Sequence, residues 1–192
     1  MISRPLSRTE MWGLALLVFA LTLGVGLRGR LVENRVNWDG LAAVAHAYDV
    51  FHAQPHANLA MIGFVQPPLP ALLQLAAAVV TPALAVSGLA ANLMGALSIT
   101  VAALLLLGIA AAAGLTRPWR WALTALFVLH PMVIGPAATG SPLALLLALL
   151  MGACWALWRW RQTEGLRDLI AASVLLAAVV ITRYEAVFIV LG

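Results

Sequence analysis

Six apolar runs, at residues 11–27, 69–86, 88–114, 121–134, 143–158 and 169–192, take up most of this 192-residue chain. A run of about 20 apolar residues is long enough, as a helix, to cross the hydrocarbon of a bilayer, and few soluble folds can accommodate several of them. Soluble domains carry about 25% charged residues; here the share is 9%, with 64% hydrophobic. The mean hydropathy is +1.01. The chain therefore reads as an integral membrane protein of the all-α class, a polytopic transmembrane helical bundle formed as one module over residues 1–192.

All eleven basic residues are arginines, set against seven acids. They stand at the ends of apolar runs, where they act as topology determinants. No clustered basic face of the kind that binds nucleic acid is present. The single cysteine, Cys154, lies in an apolar run and has no partner for an internal disulfide. Residues 11–27 follow Arg4 and Arg8 and are followed by Arg28 and Arg30 rather than by a small-residue cleavage site, so they read as an uncleaved first span. Most of the seven tryptophans flank runs, as interfacial anchors do.

The topology turns on residues 69–86. If they cross, Arg117 and Arg120 and then Arg159, Arg161 and Arg167 fall on the side opposite the N-terminal Arg4 and Arg8, against the positive-inside rule. If they stay at the outer surface, entered through Pro67 and Pro68 and weakened at Thr81 and Pro82, those arginines all lie inside. The second arrangement is preferred. It has about five spans plus an outer-face juxtamembrane helix, with residues 28–87 as an outer loop; Arg28, Arg30 and Arg35 remain outside as exceptions to the rule. The apolar run reaching Gly192 with no polar tail reads as a module cut at a helix end.

Between the hydrocarbon runs, residues 37–70 collect the polar groups. Asn37 or Asp39 opens a helix by capping its free amides. Asp39, His46 and Asp49 fall within about 80° of one another on that helix. Two readings of Asp39 stand side by side: a cap, or a carboxylate placed to act as general base toward a hydroxyl. His46, Asp49, His52 and His56 recur at spacings that would spread them over about 120° of one helix, but Pro55 interrupts it and no tight ligand motif is present. No metal site is assigned on this basis, and a divalent metal stays an unsupported option. Arg183, about fourteen residues into an apolar run, is costly in lipid unless it is paired or solvated. It either marks a helix end together with Glu185 or presents a guanidinium to a phosphate. His130, before Pro131 on an apolar face, reads as a satisfied core histidine rather than a ligand.

Three segments carry a resemblance: Asp39 followed about 28 residues on by Pro67, Pro68 and Leu69; residues 122–131 followed by Thr139, Gly140, Ser141 and Pro142; and Thr182, Arg183, Tyr184 and Glu185. In order and spacing they resemble the N-terminal part of glycosyltransferases of the C superfamily, family-39 type, which includes protein O-mannosyltransferases and aminoarabinose transferases. That family opens its first outer loop with an acidic residue, often an Asp-Glu pair, and closes it with Pro-Pro-Leu leading into a juxtamembrane helix. Here Gly40 stands where the second acid would be, and Ser141 stands where many members carry an acid.

The resemblance implies transfer of a sugar from a polyprenyl-phosphate donor to a protein or glycolipid acceptor, on the outer face of the plasma (inner) membrane. Asp39 would be the catalytic base. Arg183, Glu185, His46, Tyr48, Asp49 and Gln66 would be substrate-binding residues, with Arg183 on the donor phosphate. The alternatives are a non-catalytic membrane subunit or truncated remnant of such an enzyme, or a small transporter, the last of which would carry its polar residues at mid-span.

Overall fold

The computed structural model describes residues 7–53, 57–62 and 66–188, and among these every regular element is helical. Arg4, Pro55, His56, Val65 and residues 189–192 lie outside the described residues. The first helix, α1 (Arg8–Leu31), starts with a capping box: the Ser7 hydroxyl accepts from the Glu10 N–H, and the Glu10 carboxylate accepts from the Ser7 N–H at 3.0 Å. It runs on past Arg28 and Arg30 to Leu31, beyond the apolar run that announces it. A short turn then leads into α2 (Trp38–His52).

Next come α3 (Pro68–Val80) and α4 (Pro82–Val86), each with a proline in its first turn, where the missing N–H costs no hydrogen bond. Thr81 breaks the helix between them with φ −139° and ψ 70°. α2, α3 and α4 pack on one another through Val44, Ala47, Ala78 and Ala85, and reach the next helix through Ala90 and Ala91. That helix, α5 (Leu89–Ala112), is the centre of the bundle. Half of its most apolar stretch is buried by protein, against 22% for α1 and 33% for the later long helix. Ile99, Ala102, Ala103 and Leu107 are wholly enclosed.

The remaining elements are α6 (Arg117–Leu129), α7 (Pro131–Ala138), α8 (Leu143–Thr163) and α9 (Leu166–Val180). α6 and α7 are bent by 57° at His130 and Pro131. His130 is exposed and caps α7, its Nδ1 accepting from the Met132 N–H at 3.2 Å, so it is a helix cap rather than the core histidine its apolar neighbours imply. α8 and α9 form a hairpin closed at Arg159–Asp168 (3.5 Å) and by the Thr163 hydroxyl, which donates to the Asp168 carboxylate at 3.2 Å.

The bundle has two chemically distinct ends. Glu10 at the start of α1 pairs with Arg117 at the start of α6, so these two helices begin at the same end, which also holds the α8–α9 turn. Six arginines lie there (Arg8, Arg117, Arg120, Arg159, Arg161, Arg167) with three acids (Glu10, Glu164, Asp168). The other end holds α2, α3 and α4. The Leu69 N–H donates to the Ile181 carbonyl at 3.1 Å, fixing the start of α3 beside the end of α9. The Arg30 side chain lies against Gly88, fixing the end of α4 beside the end of α1. Both termini of residues 68–86 are thus at one end of the bundle, and the segment does not traverse it.

Three helices, α1, α5 and α8, are long and apolar enough to cross a membrane, and the bent pair α6–α7 makes a fourth if it counts as one span. This is fewer than the five expected. The shortfall is α9: at 15 residues it covers about 22 Å of a hydrocarbon core about 30 Å thick.

Candidate functional site

At the end opposite the six arginines of the α8–α9 turn and its neighbours, a cleft of about 130 Å³ opens where α2, α3 and α8 begin and where the chain leaves α9. Its polar lining is Asp39, Gln66, Thr182, Arg183 and Glu185; Ala43 and three prolines, Pro67, Pro70 and Pro142, make the apolar walls.

Each polar group is delivered by a local rule. Asn37 is the cap of α2, its side-chain oxygen accepting from the Gly40 N–H at 2.9 Å. That resolves the choice between Asn37 and Asp39. Asp39 sits in the first turn with its carboxylate not serving as the cap, at the end of the helix dipole that favours negative charge. Gln66 precedes the Pro67–Pro68 corner, and its carbonyl accepts from the Tyr184 hydroxyl at 3.4 Å. Thr182 is buried, its hydroxyl donating to the Ala178 carbonyl at 2.7 Å.

Arg183 is not inside a helix. α9 ends at Val180, and Arg183 follows in extended backbone (φ −150°, ψ 123°) before a 3-10 turn over Tyr184–Ala186. Arg183 therefore stands just beyond the helix, as the helix-end reading has it, where solvation relieves the cost of its charge. Arg183 Nε is 3.6 Å from Glu185 Oε2. The Glu185 carboxyl is held below the usual range, first by a hydrogen bond from its own backbone N–H and then by the Arg183 charge.

Asp39, Gln66, Arg183 and Glu185 thus line one cleft, although up to 146 residues separate them in sequence. His46, Tyr48 and Asp49 are not in its lining. The His46 Nδ1–H donates to the Met61 carbonyl at 3.1 Å and ties the 3-10 turn Leu59–Ile62 to α2. Tyr48 stacks on His52 with ring centroids 4.0 Å apart, and His52 Nδ1 lies 3.0 Å from the Tyr48 carbonyl. Asp49 lies ten residues along α2 from Asp39, about 15 Å down the axis. Among the described residues no group of three or more His, Cys, Asp or Glu side chains converges as a metal would need, and His56 lies outside them.

The floor behind the cleft is built from close backbone contacts. A Cβ on Gly40 would collide with the Gly140 carbonyl, one on Gly95 with the Ala137 carbonyl and one on Gly26 with the Ala138 carbonyl. Asn92, buried on α5, donates to that Ala138 carbonyl at 2.5 Å. Ser141 is buried and turned to the start of α8, its hydroxyl accepting from the Leu143 N–H at 3.3 Å. Residue type alone gave no signal for Pro142 or Ala43 as cleft walls; only their tertiary positions reveal them.

No family model, no curated protein and no solved structure matches this chain. Chemically, the cleft offers two carboxylates, one of them at a helix start, with a guanidinium, an amide and a hydroxyl against proline walls. That set can accept a proton from a hydroxyl and bind an anionic group beside it.

Proposed function

We propose that this chain is a membrane glycosyltransferase, or a module of one, moving a sugar from a polyprenyl-phosphate donor to a hydroxyl of a protein or glycolipid acceptor. The observation that carries the reading is that Asp39 and Arg183 line the same cleft. Asp39 is the base that takes the acceptor proton. Arg183 binds the donor phosphate, and Glu185 and Gln66 complete the polar wall.

The arginine balance supports a sidedness. Six arginines against three acids at one end, and four of each at the other, favour a cytoplasmic first end, and on this reading the cleft faces the outside of the plasma membrane. Counting the bent pair α6–α7 and the short α9, the chain traverses five times. On this reading α3 and α4 lie at the outer interface, where their exposed Leu73, Val79, Val80 and Val86 would meet lipid.

One observation favours a second reading, a non-catalytic subunit of such an enzyme. The Gly140 carbonyl leaves no room for a side chain at Gly40, so the second acid of an Asp-Glu pair has no place here. The test is transfer from a panel of polyprenyl-phosphate sugars by the full chain in nanodiscs, alone and with co-purified partners. Asp39→Asn and Arg183→Gln should each abolish turnover at unchanged expression and thermal stability. The catalytic assignment is falsified if Asp39→Asn retains wild-type turnover.

A further inference from the structure

At the arginine-rich end, a groove of about 380 Å³ runs between α1 and α5, lined by Arg8, Met11, Trp12, Ala15 and Leu104. On α1 these residues recur at i, i+3, i+4 and i+7, one face of the helix. From Arg8 to Ala15 they extend about 10 Å along the axis. Met11 and Trp12 are 42% and 70% exposed, so the groove opens on the surface of the bundle rather than into its core.

The charge at its mouth has no counter-ion among the described residues. Arg8 is exposed, and among the described residues no ion pair engages it. The nearest acid in sequence, Glu10, lies about 160° round the helix from Arg8. It is already held by the Ser7 N–H and hydroxyl and by Arg117. Elsewhere at this end Asp168 is paired with Arg159.

A cation at the head of a shallow apolar slot matches an amphiphile with an anionic head and a hydrocarbon tail. Trp12 supports the same depth, since indole rings favour the headgroup level of a bilayer. We infer that this groove is a binding site for an anionic glycerophospholipid of the surrounding membrane, its phosphate on Arg8 and an acyl chain along Met11, Trp12, Ala15 and Leu104. The site is separate from the cleft at Asp39 and does not depend on the glycosyltransferase reading.

The test is native mass spectrometry of the full chain released from detergent with defined mixtures of phosphatidylglycerol and phosphatidylcholine. Wild type should retain phosphatidylglycerol in preference to phosphatidylcholine. Arg8→Gln should lower that preference about fivefold, the effect of one basic residue at an anionic surface. Arg161→Gln, at the same end but outside the groove, should leave the preference unchanged. Ala15→Phe, which fills the slot, should reduce retention of both lipids. Equal retention of the two lipids by wild type overturns the inference. So does a preference that survives Arg8→Gln, or one lost equally in Arg161→Gln, which would mark a diffuse charge effect instead of a site.

Discussion

The Gly140 carbonyl of the α7–α8 turn occupies the space that a side chain on Gly40 of α2 would need. The contact joins the helix that carries Asp39 to the turn that leads into Pro142, on the opposite wall of the cleft. Gly140 itself has φ +81°, and a Cβ there would strike Ala91. Gly40→Ala should therefore destabilise the protein by about 1–3 kcal/mol, the usual range for overpacking a tight contact. A lowered Tm in detergent, with Gly13→Ala as a control where nothing lies within 4 Å, is the measurement. An unchanged Tm would mean that α2 and the turn separate easily.

Gln74 of α3 is 3% exposed, and neither its amide nitrogen nor its amide oxygen has a hydrogen-bond partner among the described residues. An amide buried without partners costs about 1–3 kcal/mol. Gln74→Leu keeps the approximate shape and removes both orphan groups, so it should raise Tm. A fall in Tm would reveal that the amide is satisfied, for example by water reaching in from the cleft.

Acidification should loosen the Arg183–Glu185 pair. The Glu185 carboxyl is held below its ordinary value, so its contribution is present at neutral pH and is lost as pH falls through that lowered value. Because Glu185 is largely exposed, the effect belongs to ligand binding more than to stability. At neutral pH Glu185→Gln should bind a phosphate-bearing ligand a few-fold more tightly than wild type, since Arg183 no longer has a competing carboxylate. The difference should vanish in acid, where wild type also carries a neutral side chain. Isothermal titration with a short-chain polyprenyl phosphate across pH reads both.

The two ends of the bundle can be told apart with thiol reagents. In a Cys154→Ser background, chosen because the native cysteine is exposed, Val32→Cys and Val86→Cys should label from one side of a sealed vesicle. Trp119→Cys and Arg161→Cys should label from the other. Labelling of Val32→Cys and Val86→Cys from opposite sides would mean that residues 68–86 traverse the bilayer.

Much of the architecture could be read from hydrocarbon and arginine alone. Run lengths located α1, α5 and α8, and the arginine positions favoured an arrangement with residues 69–86 at one end, where the contacts of Leu69 and Gly88 hold them. The end of α9 was legible in part. Arg183 and Glu185 could be read as marking a helix end within residues 169–192, and the helix stops at Val180, three residues before Arg183. Helix phase also misled at α2. Asp39, His46 and Asp49 share a face, but angular proximity ignores rise, and the cleft meets only the first two turns, at Asp39 and Ala43. The packing role of Gly40 was likewise invisible, because it depends on a turn a hundred residues away.

The position of Arg183 in the chain has a consequence for biogenesis. Asp39 emerges from the ribosome 144 residues before Arg183. At 5–20 residues per second that is roughly 7–30 s during which one wall of the cleft has left the ribosome without the other. Through that interval α2 and α3 are held by their own packing and by Arg30 against Gly88, while α5 to α9 are still being made. The carboxylate and the guanidinium meet only when α9 has returned the chain to them, so the cleft is among the last parts of the described fold to be assembled.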